Sequence, residues 1–112
     1  MKNLLNKKCI PCESGVPPLT LPQVEEYRKQ INSLWEVLDD GKKIKRKFKF
    51  KDFKEAIVFV NKVSEVAEEV QHHPDIKIFY NIVEITLWTH AIAGLSENDF
   101  IVAARIDQVG YR

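Results

Sequence analysis

No apolar run in this chain approaches the ~20 residues needed to cross a bilayer as a helix, so a helical membrane span is not expected. The segment from Met1 to Lys8 lacks the apolar stretch of roughly 7–15 residues that a secretory signal requires. A cytoplasmic location is therefore expected, where thiols stay reduced by default. Charge of one sign is also missing. Seventeen Lys and Arg face 16 Asp and Glu, for a net charge of +1, so no global field draws the protein toward nucleic acid or an anionic membrane.

Cysteine is scarce, with only Cys9 and Cys12, spaced Cys-Ile-Pro-Cys. Such a pair can be half a zinc site or a redox couple. A tetrahedral site needs two further ligands, and the histidines begin 60 residues beyond Cys12. A redox pair of the thioredoxin type should open a helix after a strand, whereas Pro11, Gly15, Pro17 and Pro18 mark an irregular lead-in. The thiols are read as structural or incidental, and no metal is expected. With 112 residues, 45% of them hydrophobic, a single domain can bury roughly 65% of its unfolded surface. Its core needs neither disulfides nor an ion to stand.

Residues 1–20 read as an extended arm, and residues 21–112 as one domain. Thr20 can cap a helix with Pro22 in its first turn. Val24, Tyr27, Ile31 and Leu34 recur at helical spacing, which predicts a helix over 21–32. A short strand over 35–39 follows, with a hairpin turn at Asp40-Gly41. From Lys43 to Lys51 the chain alternates: Ile44, Phe48 and Phe50 face one way and Lys45, Lys47, Lys49 and Lys51 the other. Arg46 breaks the apolar side once.

Asp52, with Glu55 three residues on, signs the start of a second helix. Its stripe is Phe53, Ala56, Ile57, Val60, Val63, Ala67 and Val70. Pro74 cannot continue the helix, which should end near His72–His73. Strands over 77–81 and 82–90 come next, the second alternating Val83, Ile85 and Leu87 against Glu84, Thr86 and Trp88. Ser96 with Asp99 then caps a helix reaching about Val109, with Phe100, Ala103, Ala104 and Asp107 along one side. The order α-β-β-α-β-β-α, with hairpin-linked strands, predicts an α+β fold: a four-stranded antiparallel sheet with three helices on one face.

Eight basic residues fall between Lys42 and Lys54, interleaved with Phe48 and Phe50. Basic charge among aromatics can mean nucleic-acid binding. The alternation favours a solvated face that also guards a strand edge from wrong pairing, and nucleic acid is not expected as a partner.

All three histidines, His72, His73 and His90, lie within 19 residues. If the last two strands pair as a hairpin, the start of one lies beside the end of the other. His72–Pro74 and His90 then meet at one end of the sheet. From the residues alone, exposed loop histidines, a metal site and an acid–base pair all remain open. Histidine's ordinary pKa of about 6.5 is what makes the last one chemically apt.

Glu68-x-x-x-His72-His73-Pro74, then Tyr80, Thr89-His90, Gly94-Leu95-Ser96 and Asp99 together resemble the signature of the pterin-4a-carbinolamine dehydratases. The similarity extends from Trp35 through Phe48, Phe50, Phe53 and Phe59 to Ala104 and Asp107. The arm, from Cys9 to Cys12 and from Gly15 to Leu19, is similar to bacterial members. The resemblance implies an α+β subunit assembled as a homodimer or homotetramer. It also implies a hydro-lyase that converts 4a-hydroxytetrahydropterin to quinonoid dihydropterin in tetrahydropterin recycling, with no cofactor, the pterin being substrate. By the same resemblance His72, His73 and His90 are the catalytic set. Glu68, Pro74, Thr89, Ala91, Ile92 and Asp99 match positions expected to bind substrate. Some relatives carry an aromatic at the position of Ile76 and an acid at that of Gln71. The runner-up function is a non-catalytic dimerisation or assembly cofactor for a protein partner, since a fold does not fix a function.

Overall fold

Alternation and capping set most of the elements in the computed structural model, which describes residues 4–6 and 17–109. Cys9 and Cys12, and most of the arm, lie outside the described residues. Helix α1 spans Leu21–Arg28, strands β1 and β2 Glu36–Leu38 and Lys43–Lys49, and helix α2 Phe53–Val70. Strands β3 and β4 follow at Asp75–Phe79 and Ile82–Leu87, and helix α3 at Glu97–Gln108. The sheet is antiparallel throughout, in the order β1-β2-β4-β3. This is the α+β architecture with the expected element order, and the helices lie on one face. None of the described helices is long and apolar enough to cross a membrane.

The pleat sends alternate side chains to opposite faces. Ile44 and Phe48 of β2, with Val83, Ile85 and Leu87 of β4, are fully buried. Lys47 and Lys49 remain exposed on the other side, and there Lys45 and Lys77 lie 3.8 and 4.0 Å from Glu84. Beneath α2, Phe48 packs on Phe59 with centroids 4.6 Å apart, and Trp35 meets Phe48 edge-on at 6.3 Å. The buried line of α2 is Ala56, Phe59, Val63, Ala67 and Val70. Phe59 therefore takes the central place, Ile57 and Val60 flank it, and Phe53 in the first turn is exposed.

Several boundaries differ from expectation, each for a tertiary reason. The first helix stops at Arg28 because Asp107 of α3 captures the chain beyond it. Its Oδ2 accepts the Asn32 N–H at 3.0 Å, and Asn32 Oδ1 then accepts the Leu34 N–H at 2.8 Å. Arg46, the break in the apolar side of β2, is 4% exposed. It donates to Asp107 Oδ1 at 2.7 Å, an oxygen that also accepts from the Trp35 indole at 2.9 Å. The β1–β2 turn is a longer bend with positive φ at Asp39, Asp40 and Gly41. Gly41 is required there: its φ is +87°, and a Cβ would stand 2.5 Å from Leu21.

Helix α3 is buried nearly all round, rather than along one side. It packs against α1, α2 and the short turn Leu4–Asn6, and Leu4 is only 2% exposed. Tyr27 of α1 stacks on Phe100 with centroids 5.2 Å apart and donates to Glu97 at 2.8 Å. Burial first, then the hydrogen bond and the charge of Glu97, push the Tyr27 phenol up from 10.0 to about 12. A group whose folded pKa is raised contributes stability below its unfolded value and loses that contribution as pH climbs to the folded one. Between about pH 10 and 12 the α1–α3 contact should therefore weaken. A tyrosinate absorbance titration is expected to show a late phase near pH 12 that Tyr27→Phe removes.

Candidate active site

Pairing of Asp75 with Thr86 is the last rung of the β3–β4 ladder. It sets the residues preceding β3 beside those following β4, so the expected meeting of His72–Pro74 with the segment around His90 is built into the hairpin. Strand β3 begins at Asp75, two residues earlier than expected, and the hairpin turn falls at Tyr80-Asn81. Strand β4 ends at Leu87. His90 does not close the strand but opens a 3-10 turn, His90–Ile92. The reason is local. Thr89 leaves the sheet to pair with Gly94, its N–H bonding the Gly94 carbonyl at 2.8 Å. The strap before α1 closes over this loop: the Leu19 N–H bonds the Leu95 carbonyl at 2.9 Å, and Gly94 lies directly under Pro18.

At the other side of the site α2 stops in a left-handed residue, Gln71 with φ 55°. The His72 N–H still bonds the Ala67 carbonyl at 3.2 Å. Beyond it His72 is nearly buried, with 14% of its side chain exposed. Its Nε2 lies 2.7 Å from Oδ1 of Asp99, a carboxylate with no exposure. The other oxygen, Oδ2, accepts from the Thr89 hydroxyl at 2.7 Å and from the Ser96 N–H at 3.0 Å. The Thr89 and Ser96 hydroxyls are 2.8 Å apart. One buried carboxylate thus caps α3, fixes the end of β4 and holds His72. Buried charge is tolerable only with such a complement of donors.

Asp99, expected among substrate-binding residues, therefore acts on His72 rather than standing open, and Thr89 is likewise turned inward with 4% exposure. The capping role read from the sequence and the contact with His72 are carried by the same side chain. An ionised carboxylate only accepts, so a neutral His72 carries its proton on Nε2 and has its lone pair on Nδ1.

His73 Nε2 is 2.5 Å from Glu68 Oε2, one turn back on α2, and both side chains are more than half exposed. His90 is exposed, as is Ala91, while Pro74 and Ile92 are half-buried. Ile76 is half-buried in β3, and the Gln71 amide donates to the Glu68 carbonyl at 2.6 Å. His90 stacks on Trp88, centroids 3.9 Å apart and planes inclined by 28°. Trp88 in turn donates to Asp75 at 3.2 Å and lies under the Lys43 ammonium, 4.7 Å from the ring centre.

Two contributors were not among the residues singled out for the site. Ser96 stands in the sequence both as a helix cap and within the family signature, with no site role attached to it. Trp88 had a signal of its own: a large aromatic on the polar side of β4, in line with Glu84 and Thr86.

Comparison with known proteins agrees over nearly the full chain. The family model described as pterin 4 alpha carbinolamine dehydratase matches residues 17–109. A protein of Alkaliphilus metalliredigens, provisionally named pterin-4-alpha-carbinolamine dehydratase, is 46% identical over 108 residues, which cover 96% of each chain. A Rubrobacter xylanophilus protein of the same name is also 46% identical, over 97% of this chain and all of its own. Among solved structures, a transcriptional coactivator/pterin dehydratase from Brucella melitensis superposes with a TM-score of 0.74 at 35% identity, covering 80% of this chain and 94% of its own. A pterin dehydratase-like protein identified as a RuBisCO assembly factor shares the fold, with a TM-score of 0.56 at 24% identity. On the span and identity of these matches, the chain belongs to the pterin 4 alpha carbinolamine dehydratase family.

Proposed function

We propose that this protein dehydrates 4a-hydroxytetrahydropterin to quinonoid dihydropterin, using His72, His73 and His90 for proton transfer, as a step in tetrahydropterin recycling. The observation that carries the proposal is the buried Asp99 carboxylate, which ties His72 to the Thr89-His90 segment. A carboxylate at that place compensates the charge of an imidazole that takes up a second proton. The C4a hydroxyl leaves readily only when protonated, and the neighbouring ring nitrogen must lose its proton as the carbon–nitrogen double bond forms. One acid and one base on an oriented substrate suffice, and the reading therefore asks for no metal and no organic cofactor.

His72 and His90 are assigned to the leaving hydroxyl. His73, exposed and paired with Glu68, anchors the pterin or moves the second proton. Glu68, Pro74, Ala91 and Ile92 border the same end of the sheet and are assigned to substrate contacts. Thr89 and Asp99 support the site from within. Stopped-flow dehydration of an enzymatically generated 4a-hydroxypterin tests the division. His72→Ala and His90→Ala should each slow turnover by about 10²–10⁴-fold, and His73→Ala by less. Abolished turnover in His73→Ala alone would overturn the assignment.

The proposal also takes the protein to be cytoplasmic and to assemble as a homodimer or homotetramer. Edge strand β3 exposes Ile78 and Phe79, with Tyr80 beyond it, a surface suited to a second copy. Sedimentation of the full chain reads the assembly directly.

A further inference from the structure

We infer that Trp88 is a positioning residue for His90: its indole face sets the imidazole plane while leaving both ring nitrogens to the substrate. The inference rests on the dehydratase reading above, and it concerns how one of the three histidines is held.

The three are held in different ways. His72 and His73 each commit Nε2 to a carboxylate, of Asp99 and Glu68 respectively. Only Nδ1 of each remains for a reacting molecule. His90 has no hydrogen bond to either ring nitrogen among the described residues. An exposed imidazole of that kind ordinarily samples several rotamers, and a group so disposed delivers a proton inefficiently. What restrains it is contact through its face, 3.9 Å from the indole centroid.

The pleat explains why the two rings meet. Leu87 and Thr89 are buried, so Trp88 and the residue after Thr89 fall on the opposite side. Thr89 keeps extended backbone, φ −104° and ψ 106°, which carries the alternation two residues past the end of β4. The platform is itself anchored. Asp75 Oδ2 accepts the indole N–H, and the Lys43 ammonium lies over the ring. Lys43 is further held 3.6 Å from Asp39. A tryptophan pinned from two strands, with its face on an otherwise unrestrained histidine, is a mount for that histidine. Aromatic stacking carries no donor or acceptor demand, so it fixes orientation without occupying a nitrogen that proton transfer needs.

The test uses the full chain and two independent readouts. In proton NMR, with the His90 resonances assigned by their loss in His90→Gln, the imidazole carbon-bound protons should lie upfield of their random-coil positions through the indole ring current. Trp88→Leu should return them toward those positions, while Trp88→Phe should retain part of the displacement. In stopped-flow dehydration, Trp88→Leu should lower kcat by about 3–10-fold, the equivalent of one aromatic stacking contact. KM should change little, and Trp88→Phe should recover most of the rate. Random-coil His90 shifts in the unsubstituted protein would overturn the stack, and Trp88→Phe alone suffices for the comparison if the leucine variant does not fold. An active protein whose Trp88→Leu variant keeps full kcat, or loses only KM, would overturn the positioning role while leaving the dehydratase reading intact. A protein with His90 displaced upfield but no dehydratase activity would overturn that reading, and with it any catalytic role for the stack.

Discussion

Asp99→Asn is expected to slow dehydration by about 10²–10⁴-fold, the scale of one acid–base contribution, while the protein stays folded. The substitution keeps the shape of the side chain and removes one acceptor. In the native site one oxygen meets His72 Nε2, and the other takes the Thr89 hydroxyl and the Ser96 N–H. An amide has a single oxygen. If that oxygen stays with Ser96, the NH2 group faces His72 and forces its proton onto Nδ1. If it stays with His72, the NH2 group meets the Ser96 N–H, donor against donor, and the start of α3 loses its cap. Loss of such a cap costs about 1 kcal/mol, too little to unfold a typical domain. Stopped-flow rates, together with a urea transition on the same sample, separate the two effects. A variant with native turnover would show that the carboxylate serves the helix alone.

Asp107→Ala should destabilise the fold by about 3–5 kcal/mol, the range for removing one partner of a buried ion pair. Arg46 is only 4% exposed, and its guanidinium would lose the carboxylate that neutralises it. The indole of Trp35 and the Asn32 N–H would lose their acceptor as well. Three separate segments converge on that one side chain: the link after α1, strand β2 and helix α3. Urea denaturation should show a lower midpoint with an unchanged slope. Asp107→Asn, which keeps an acceptor for one of the donors, should lose less. A midpoint within error of the native one for Asp107→Ala would overturn this account of the core.

The two carboxylates differ in how well their surroundings announced them. Asp99 stands three residues after Ser96, in a capping pattern that local rules recognise, and its contact with His72 comes from the tertiary structure. Asp107 belonged to the expected helix but was placed simply along one side of it. Nothing local said that this side would meet a buried arginine from a strand far earlier in the chain. Arg46 breaks the alternation of β2, and the break is the ion pair seen from the other partner. Trp88 was a similar irregularity, an aromatic on the polar side of its strand, and its meaning likewise lies in a contact.

What the sequence by itself determined is the order of elements, the faces of β2, β4 and α2, and the gathering of the three histidines at one end of the sheet. Those follow from period, capping and hairpin pairing, all of which act over a few residues. Where α1 and β4 stop, which side of α3 is buried, and how each histidine is held were decided by tertiary structure. Asp107 captures the chain after α1, Gly94 draws Thr89 out of the sheet, Asp99 holds His72, and Trp88 stacks on His90. For Asp107 and Asp99 the physical reason is that a carboxylate meets its partners only after the backbone has brought distant segments together. For Thr89 and Trp88 the partners are close in sequence, but the backbone pairing and the ring contact that join them are not encoded by period or capping.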